Sequence, residues 1–416
     1  MENHSRWIEL QEKRVDKDMI RFEYKKIWTK IAVLAISVLF FYSLIMTGIG
    51  YLYFENTTIT KEGEQVMGIS AFKALKKESE DIEGTMNQEY LNKLVQSYNN
   101  SVEKQNKFLG MIKYQFPNYL INFAAYSERM NSNLMDLDFD FLSSEDKFYA
   151  QYKNSVINLI QINNQSNWFR YTDGQMNIIN GKVMSLDTPF QAGYYEGLSR
   201  VISAYSEQYW LILIVLVFTL CSIFSKDSIN GIDELSLATK YGRKRNMNAR
   251  IIAGNLFAIT VYGIFIVVLL LEHGIVASLH GLGLSAQNIW KTCLYDINIG
   301  TGMLLMFAQG LLCILIIANL IMMLSIWTEY AKASALLSLA SVLLLRQLTQ
   351  TLDTLMLQLN PLYFARHLAI SNDFEIYYFI GNVILPYSLI FLMPAAMYLT
   401  IIRFSTVFRY KRYAVN

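Results

Sequence analysis

Long runs without charge alternate along this chain with segments dense in charge. Residues 31–53, 208–225, 251–271, 303–326 and 376–402 contain no Asp, Glu, Lys, Arg or His. A helix needs roughly 20 residues to cross ~30 Å of hydrocarbon, so each run predicts a membrane-spanning helix. A further run, 333–345, is shorter and is bounded by Lys332 and Arg346. It spans if both cations extend to the interfaces. Pro386 and Pro394 are expected to kink the last run.

The segments between the runs carry their own patterns. Residues 1–30 predict an amphipathic helix with Ile8, Val15, Met19 and Phe22 on one stripe, lying along the inner membrane surface. Residues 54–207 form one large insertion that reads as mainly helical. Thr85 and Gln88 match a capping box ahead of Leu91, Leu94, Val95, Tyr98 and Val102. Leu198, Val201, Ile202 and Tyr205 repeat the helical spacing and run into the second span. Between them, "YTDGQMNIINGKVMSLDTP" (171–189) has the turn residues of a small hairpin. Aromatic residues sit where interfaces are expected, Tyr51, Tyr53, Tyr209, Trp210, Tyr377 and Tyr378 at one side, Trp28 and Trp327 at the other.

Composition agrees with the pattern: 53% of the 416 residues are hydrophobic and only 17% charged, where soluble chains carry about 25%. Lys and Arg set the orientation. They are dense before residue 31, in 226–250 and in the tail 403–416, whereas the segments 272–300 and 346–376 hold only Lys291, Arg346 and Arg366. Six spans with both termini cytoplasmic satisfy this bias, and they require 333–345 to cross. The first apolar run is too long and its flank too charged for a cleaved signal peptide, so it reads as a retained anchor. The insertion 54–207 has 19 acidic and 14 basic residues and no cysteine. That composition leans toward a bacterial plasma membrane.

The chemistry of catalysis is sparse. There is no phosphate-binding G-x-x-x-x-G-K-[ST], no H-E-x-x-H, and the four histidines are scattered. Asp136, Asp138 and Asp140 open like a calcium loop, but Phe141 and Lys147 stand where Gly and Glu are needed; an acidic strand or turn fits better. The charge-free spans weigh against an ion-driven carrier, although Gln309, Asn319 and Asn382 lie where a path would need polar groups. Ser334, Ser338 and Ser341 share one helical face that invites close packing, within the chain or between subunits.

The charged segment 226–250 carries the functional expectation. Ile229, Ile232, Leu235, Ser236 and Thr239 form one stripe, with Asp233 and Glu234 off it, then Gly242 and a basic patch from Arg243. One reading is a basic loop resting on lipid headgroups; the other is a helix that docks into a cytoplasmic partner. The order Asp227, Gly231, Asp233, Glu234, Leu235, Leu237, Gly242, Arg243 resembles the loop between the second and third spans of ABC-2 type exporter permeases. "MIRFEYKKIWTK" (19–30) is similar to that family's lead into its first span, with Glu23 and Lys26 at matching places. Tyr241 stands where the family often has proline.

The resemblance implies an all-α polytopic membrane protein with six transmembrane helices and a mainly helical extracellular domain between the first two. Its parts would be a cytoplasmic N-terminal helix (1–30), a first span (31–53), an extracellular domain (54–207), a second span (208–225), a cytoplasmic coupling loop (226–250), spans three to six (251–402) and a basic cytoplasmic tail (403–416). It implies a non-enzymatic transporter subunit with no metal, cofactor or nucleic acid of its own, surrounded by lipid. A second permease, identical or not, and a cytoplasmic ABC ATPase dimer holding ATP and Mg would complete it. Asp227, Ile229, Gly231, Ile232, Asp233, Glu234, Leu235, Thr239 and Arg243 would dock the ATPase, with Glu23 and Lys26 on the adjoining helix. The cargo would be an amphipathic peptide, antibiotic or lipid-like molecule. A mechanotransmission complex that moves its outer domain without cargo is the alternative.

Overall fold

The computed structural model describes residues 16–54, 57–59, 65–80, 83–93, 143–166, 171–225, 242–290, 292–328, 330–351, 360–362, 378–380, 383–385 and 387–413. These residues are mostly helical, and five helices are long and apolar enough to cross a membrane.

Helix α1 covers 16–27 and stops where Thr29 turns extended. The Thr29 hydroxyl accepts the Ala32 amide at 3.2 Å and opens α2, Lys30–Ile49, which ends in a π turn at Gly50–Phe54. A short hairpin, β1 (Thr57–Ile59) with β2 (Gln65–Met67), leads to α3 (Ile69–Glu80). Next come β3 (Gly84–Thr85) and the short helix α4 (88–93). Its cap is Asn87, whose Oδ1 accepts the Tyr90 amide at 3.1 Å. The expected Thr85–Gln88 box is therefore absent: Thr85 belongs to the strand, and the Gln88 side chain instead accepts the Glu145 amide at 2.7 Å.

Helices α5 (Glu145–Ser166) and α6 (Asp173–Met184) follow. The expected hairpin over 171–189 is thus a helix. Thr172 and Gln175 form a reciprocal capping box that satisfies the first amides, and Ile179 and Val183, one turn apart, are fully buried. Strand β4 (Gln191–Ala192) pairs antiparallel with β3. Helix α7, Glu196–Leu220, is continuous, as its spacing predicts; Leu198, Val201 and Tyr205 are fully buried.

Helix α8, Gly242–Ala277, has 36 residues, about 54 Å at 1.5 Å per residue, and so overhangs the hydrocarbon layer. The run 251–271 is free of ionisable groups as expected, but the helix continues past it to include Glu272 and His273. After a loop come α9 (Ile299–Thr328) and α10 (Ala331–Thr351). The last apolar run is not one helix. It is divided into a hairpin, β5 (Tyr378–Ile380) with β6 (Val383–Leu385), and helix α11, Tyr387–Tyr413, which contains Pro394. Phe379 and Ile384, opposite each other across the hairpin, both pack against one core, an arrangement that a helix would disperse.

Helix α9 is the centre of the bundle, with α7, α8, α10 and α11 against it; α2 packs on α7 and α8. At Gly310 the tyrosine hydroxyls of Tyr205 and Tyr262 fill the space a Cβ would need. The two hydroxyls meet at 3.2 Å, Tyr262 donates to the Phe307 carbonyl at 2.7 Å, and Tyr209 donates to the Gly310 carbonyl at 3.0 Å. Tyr209 and Tyr51 are buried, so these two serve packing rather than an interfacial belt. Asn319 donates to Asn255 at 2.7 Å and joins α9 to α8 instead of lining a path. Ser334 and Ser338 are buried inside the chain, where their small size lets α10 approach α9.

A second core lies beyond one end of the bundle. Met86, Leu91, Phe148, Tyr152, Ile179, Val183 and Phe190 form it, joined by Leu294 from the α8–α9 loop and by Phe379 and Ile384. The Tyr149 hydroxyl donates to the Met86 carbonyl at 3.0 Å and accepts the Phe190 amide at 2.8 Å. Burial pushes the Tyr149 phenol above its ordinary range.

Candidate docking site at the charged end of the bundle

The opposite end collects most of the described Lys and Arg residues. Helix α1 runs beside the first turns of α8. Asp16 meets Arg245 at 3.7 Å, Glu23 meets Arg250 at 3.8 Å, and the Tyr24 and Thr260 hydroxyls lie 3.0 Å apart. Trp28 packs edge-on against Phe257 at 5.2 Å. The buried positions of α1 are Glu23 and Ile27, while Phe22 is exposed. The docked face is therefore not the Met19–Phe22 stripe; Ile8 and Val15 lie outside the described residues.

Arg250 is 1% exposed and its guanidinium also stacks over Phe224 at 5.6 Å. Sequence inspection passed over Arg250 because it directly abuts an apolar run. An arginine at that border, facing an acid on an amphipathic helix, is the signal. Lys26 sits 3.9 Å from Glu23 and is more exposed than its partner.

Helices α7, α9 and α11 end in the same place. The Phe224 amide donates to Ser325 at 3.2 Å, and Phe224 meets Tyr410 edge-on at 6.0 Å. Arg403 donates to Asn248 at 2.7 Å, Arg409 lies over Trp327 at 5.8 Å, and Trp327 donates to Ser405 at 3.2 Å. Of the expected docking segment 226–250, residues 242–250 form the start of α8, and Ser225, just before the segment, is buried. Asp227, Ile229, Gly231, Ile232, Asp233, Glu234, Leu235 and Thr239 lie outside the described residues, and of Arg243 only the helical backbone is described. Asp136, Asp138 and Asp140 are likewise outside them, and no metal-binding cluster occurs among the described residues.

Cavities lined by described residues flank the bundle. One, of about 320 Å³, opens beside this end between α1, α7 and α10, with Lys26, Phe218 and Ser222 in its wall. Another, of about 230 Å³, lies between α7 and α10 near their far ends. Glu207, Trp210 and Arg346 line it, and the Arg346 guanidinium stacks on Trp210 at 4.7 Å. The wall combines an aromatic face with both charge signs.

No family model, no curated protein and no solved structure matches this chain.

Proposed function

We propose that the chain is the membrane-spanning permease of an ATP-driven exporter in a bacterial plasma membrane, worked by a separate cytoplasmic ATPase. One observation carries the proposal. The borders of 226–241, the N-terminal helix and the end of α11 converge on one charged, interlocked end, ordered around the buried Glu23–Arg250 pair. A motor gripping a segment held at Ser225 and Gly242 would pull on α7 and α8 directly. Helix α11 is the sixth span in this reading, which keeps both termini cytoplasmic, and 54–207 is extracellular. A second permease copy or homologue completes the pathway, and ATP and Mg belong to the ATPase. The Trp210–Arg346 cavity suits an amphipathic cargo bearing charge and an apolar face.

The deciding experiment is co-purification. Leu235→Asp places charge on the docking stripe and is expected to lose the ATPase while the protein stays folded and in the membrane. Undiminished co-purification would refute the assignment of the docking segment. A mechanotransmission reading draws on a different feature: α7 runs unbroken from the outer core's edge to the charged end. ATP-dependent uptake of cargo into inside-out vesicles supports export, whereas ATP hydrolysis without uptake supports mechanotransmission.

A further inference from the structure

We propose that Glu272 is a proton-binding site at the outer end of the seam between α2 and α8. Its Oε2 accepts the Ser43 hydroxyl at 2.9 Å and the Thr47 hydroxyl at 3.0 Å, so one oxygen holds two successive turns of α2. Its Oε1 is enclosed and has no hydrogen-bond partner among the described residues. No ion pair reaches Glu272 among those residues either.

The neighbouring charges are otherwise engaged. On α7, Arg200 and Glu196 pair with each other at 3.0 Å. Beside Glu272 on α8, His273 Nδ1 is 2.6 Å from the hydroxyl of Tyr51, in the π turn that follows α2. On α3, Lys76 reaches the Ser278 hydroxyl at 3.4 Å. Glu272 is left with neutral hydroxyl donors alone, and the free Oε1 is the place for a proton.

Its depth makes the site accessible. Glu272 follows Arg250 on one continuous helix by about 33 Å, at 1.5 Å per residue. With Arg250 at the inner boundary of a ~30 Å hydrocarbon layer, Glu272 stands level with the outer one, within reach of outside water. As a carboxylate it accepts two charge-assisted bonds. Once Oε1 is protonated, Oε2 becomes a neutral acceptor and each bond falls to roughly half its strength. Helix α2 is mostly exposed along its length, and this tie joins the Tyr51–His273 bond in fastening its outer end to α8. At its inner end α2 leads through Thr29 to α1. The seam therefore loosens with outside acidity. The inference rests on the proposed orientation of α2 and α8 across the membrane and is independent of any ATPase.

The test is labelling of the full-length protein in lipid nanodiscs with a hydrophobic carbodiimide, followed by peptide mass mapping. The carboxyl proton passes to a carbodiimide nitrogen, the carboxylate oxygen bonds to the central carbon, and the O-acylisourea rearranges to an N-acylurea. The adduct gains the whole reagent and nothing leaves, so only the protonated form is captured. Labelling of Glu272 is expected at about pH 5.5 and should fall at least tenfold by about pH 8.5 as the carboxyl loses its proton. Glu272→Gln should remove that adduct. The Ser43→Ala, Thr47→Val double variant keeps the carboxyl but removes donors that favour its charged form, so labelling should persist to higher pH. Absence of an adduct at Glu272, a level flat with pH, or an unmoved midpoint in the double variant would overturn the proposal.

Discussion

Arg250 is enclosed by α1, α7 and the bundle, and Glu23 is its ion-pair partner at 3.8 Å. A buried charge stripped of its counter-charge costs several kcal/mol, whereas an exposed pair contributes little. Glu23→Leu should therefore lower stability by about 3 kcal/mol, and Lys26→Ala by less than about 1 kcal/mol. SDS-induced unfolding of the purified protein in mixed micelles reads both; equal losses would remove the distinction between them. Glu23 and Lys26 were legible together from the sequence, but only packing separates them, because three positions on a helix place one inside and one at the rim. In the outer core, Tyr149→Phe leaves the Phe190 amide unpaired and should cost about 1–3 kcal/mol. Because burial raises the Tyr149 phenol, its folded form holds the proton more tightly than the unfolded form. That stability is complete below the ordinary tyrosine value, about 10, and is lost as pH rises beyond it. Near-ultraviolet circular dichroism during alkaline titration should show outer-core melting only above that range, and melting between pH 7 and 9 would refute it.

At the scale of elements, the long uncharged runs were readable because hydrocarbon imposes one simple rule on them. Their ends were not, since helices continue past the apolar layer wherever protein supplies partners. Glu272 closed a run by its charge, yet α8 carries it because Ser43 and Thr47 satisfy it. Residues 376–402 read as one span on the same rule, which cannot separate a hairpin's buried face from a helix. The 171–189 segment failed differently. Gly174, Asn180 and Gly181 resemble turn residues, but the Thr172–Gln175 box nucleates α6 and the outer core claims Ile179 and Val183. Thr172→Ala should therefore destabilise α6 by about 1 kcal/mol. Hydrogen exchange should quicken about fivefold at 176–183 and stay unchanged in α8; no local change would mean that packing alone holds the helix.

Over the whole molecule, the segments divide by end. Insertion residues 84–93, 143–166 and 171–192, the α8–α9 loop and the β5–β6 hairpin share one core, while α1, the α7–α8 borders and the end of α11 share the other. The proposed six spans, an even number, would fit this division. Helix α10 decides the parity: it leaves the charged end after Thr328 and carries Arg346 to Trp210 on α7. Orientation is then a single binary choice, open to direct measurement. Cys221, Cys293 and Cys313 are all buried, so one added surface cysteine reports its own side of the membrane to an impermeant maleimide. Met184 and Lys17 are exposed at opposite ends. Met184→Cys should react in intact cells, and Lys17→Cys only after permeabilisation. The reverse result would turn the bundle over, put 226–241 outside the cell and leave the docking segment without any source of ATP. Reaction of both in intact cells would instead mean that α2, the candidate span between them among the described residues, does not put the two ends on opposite sides of the membrane.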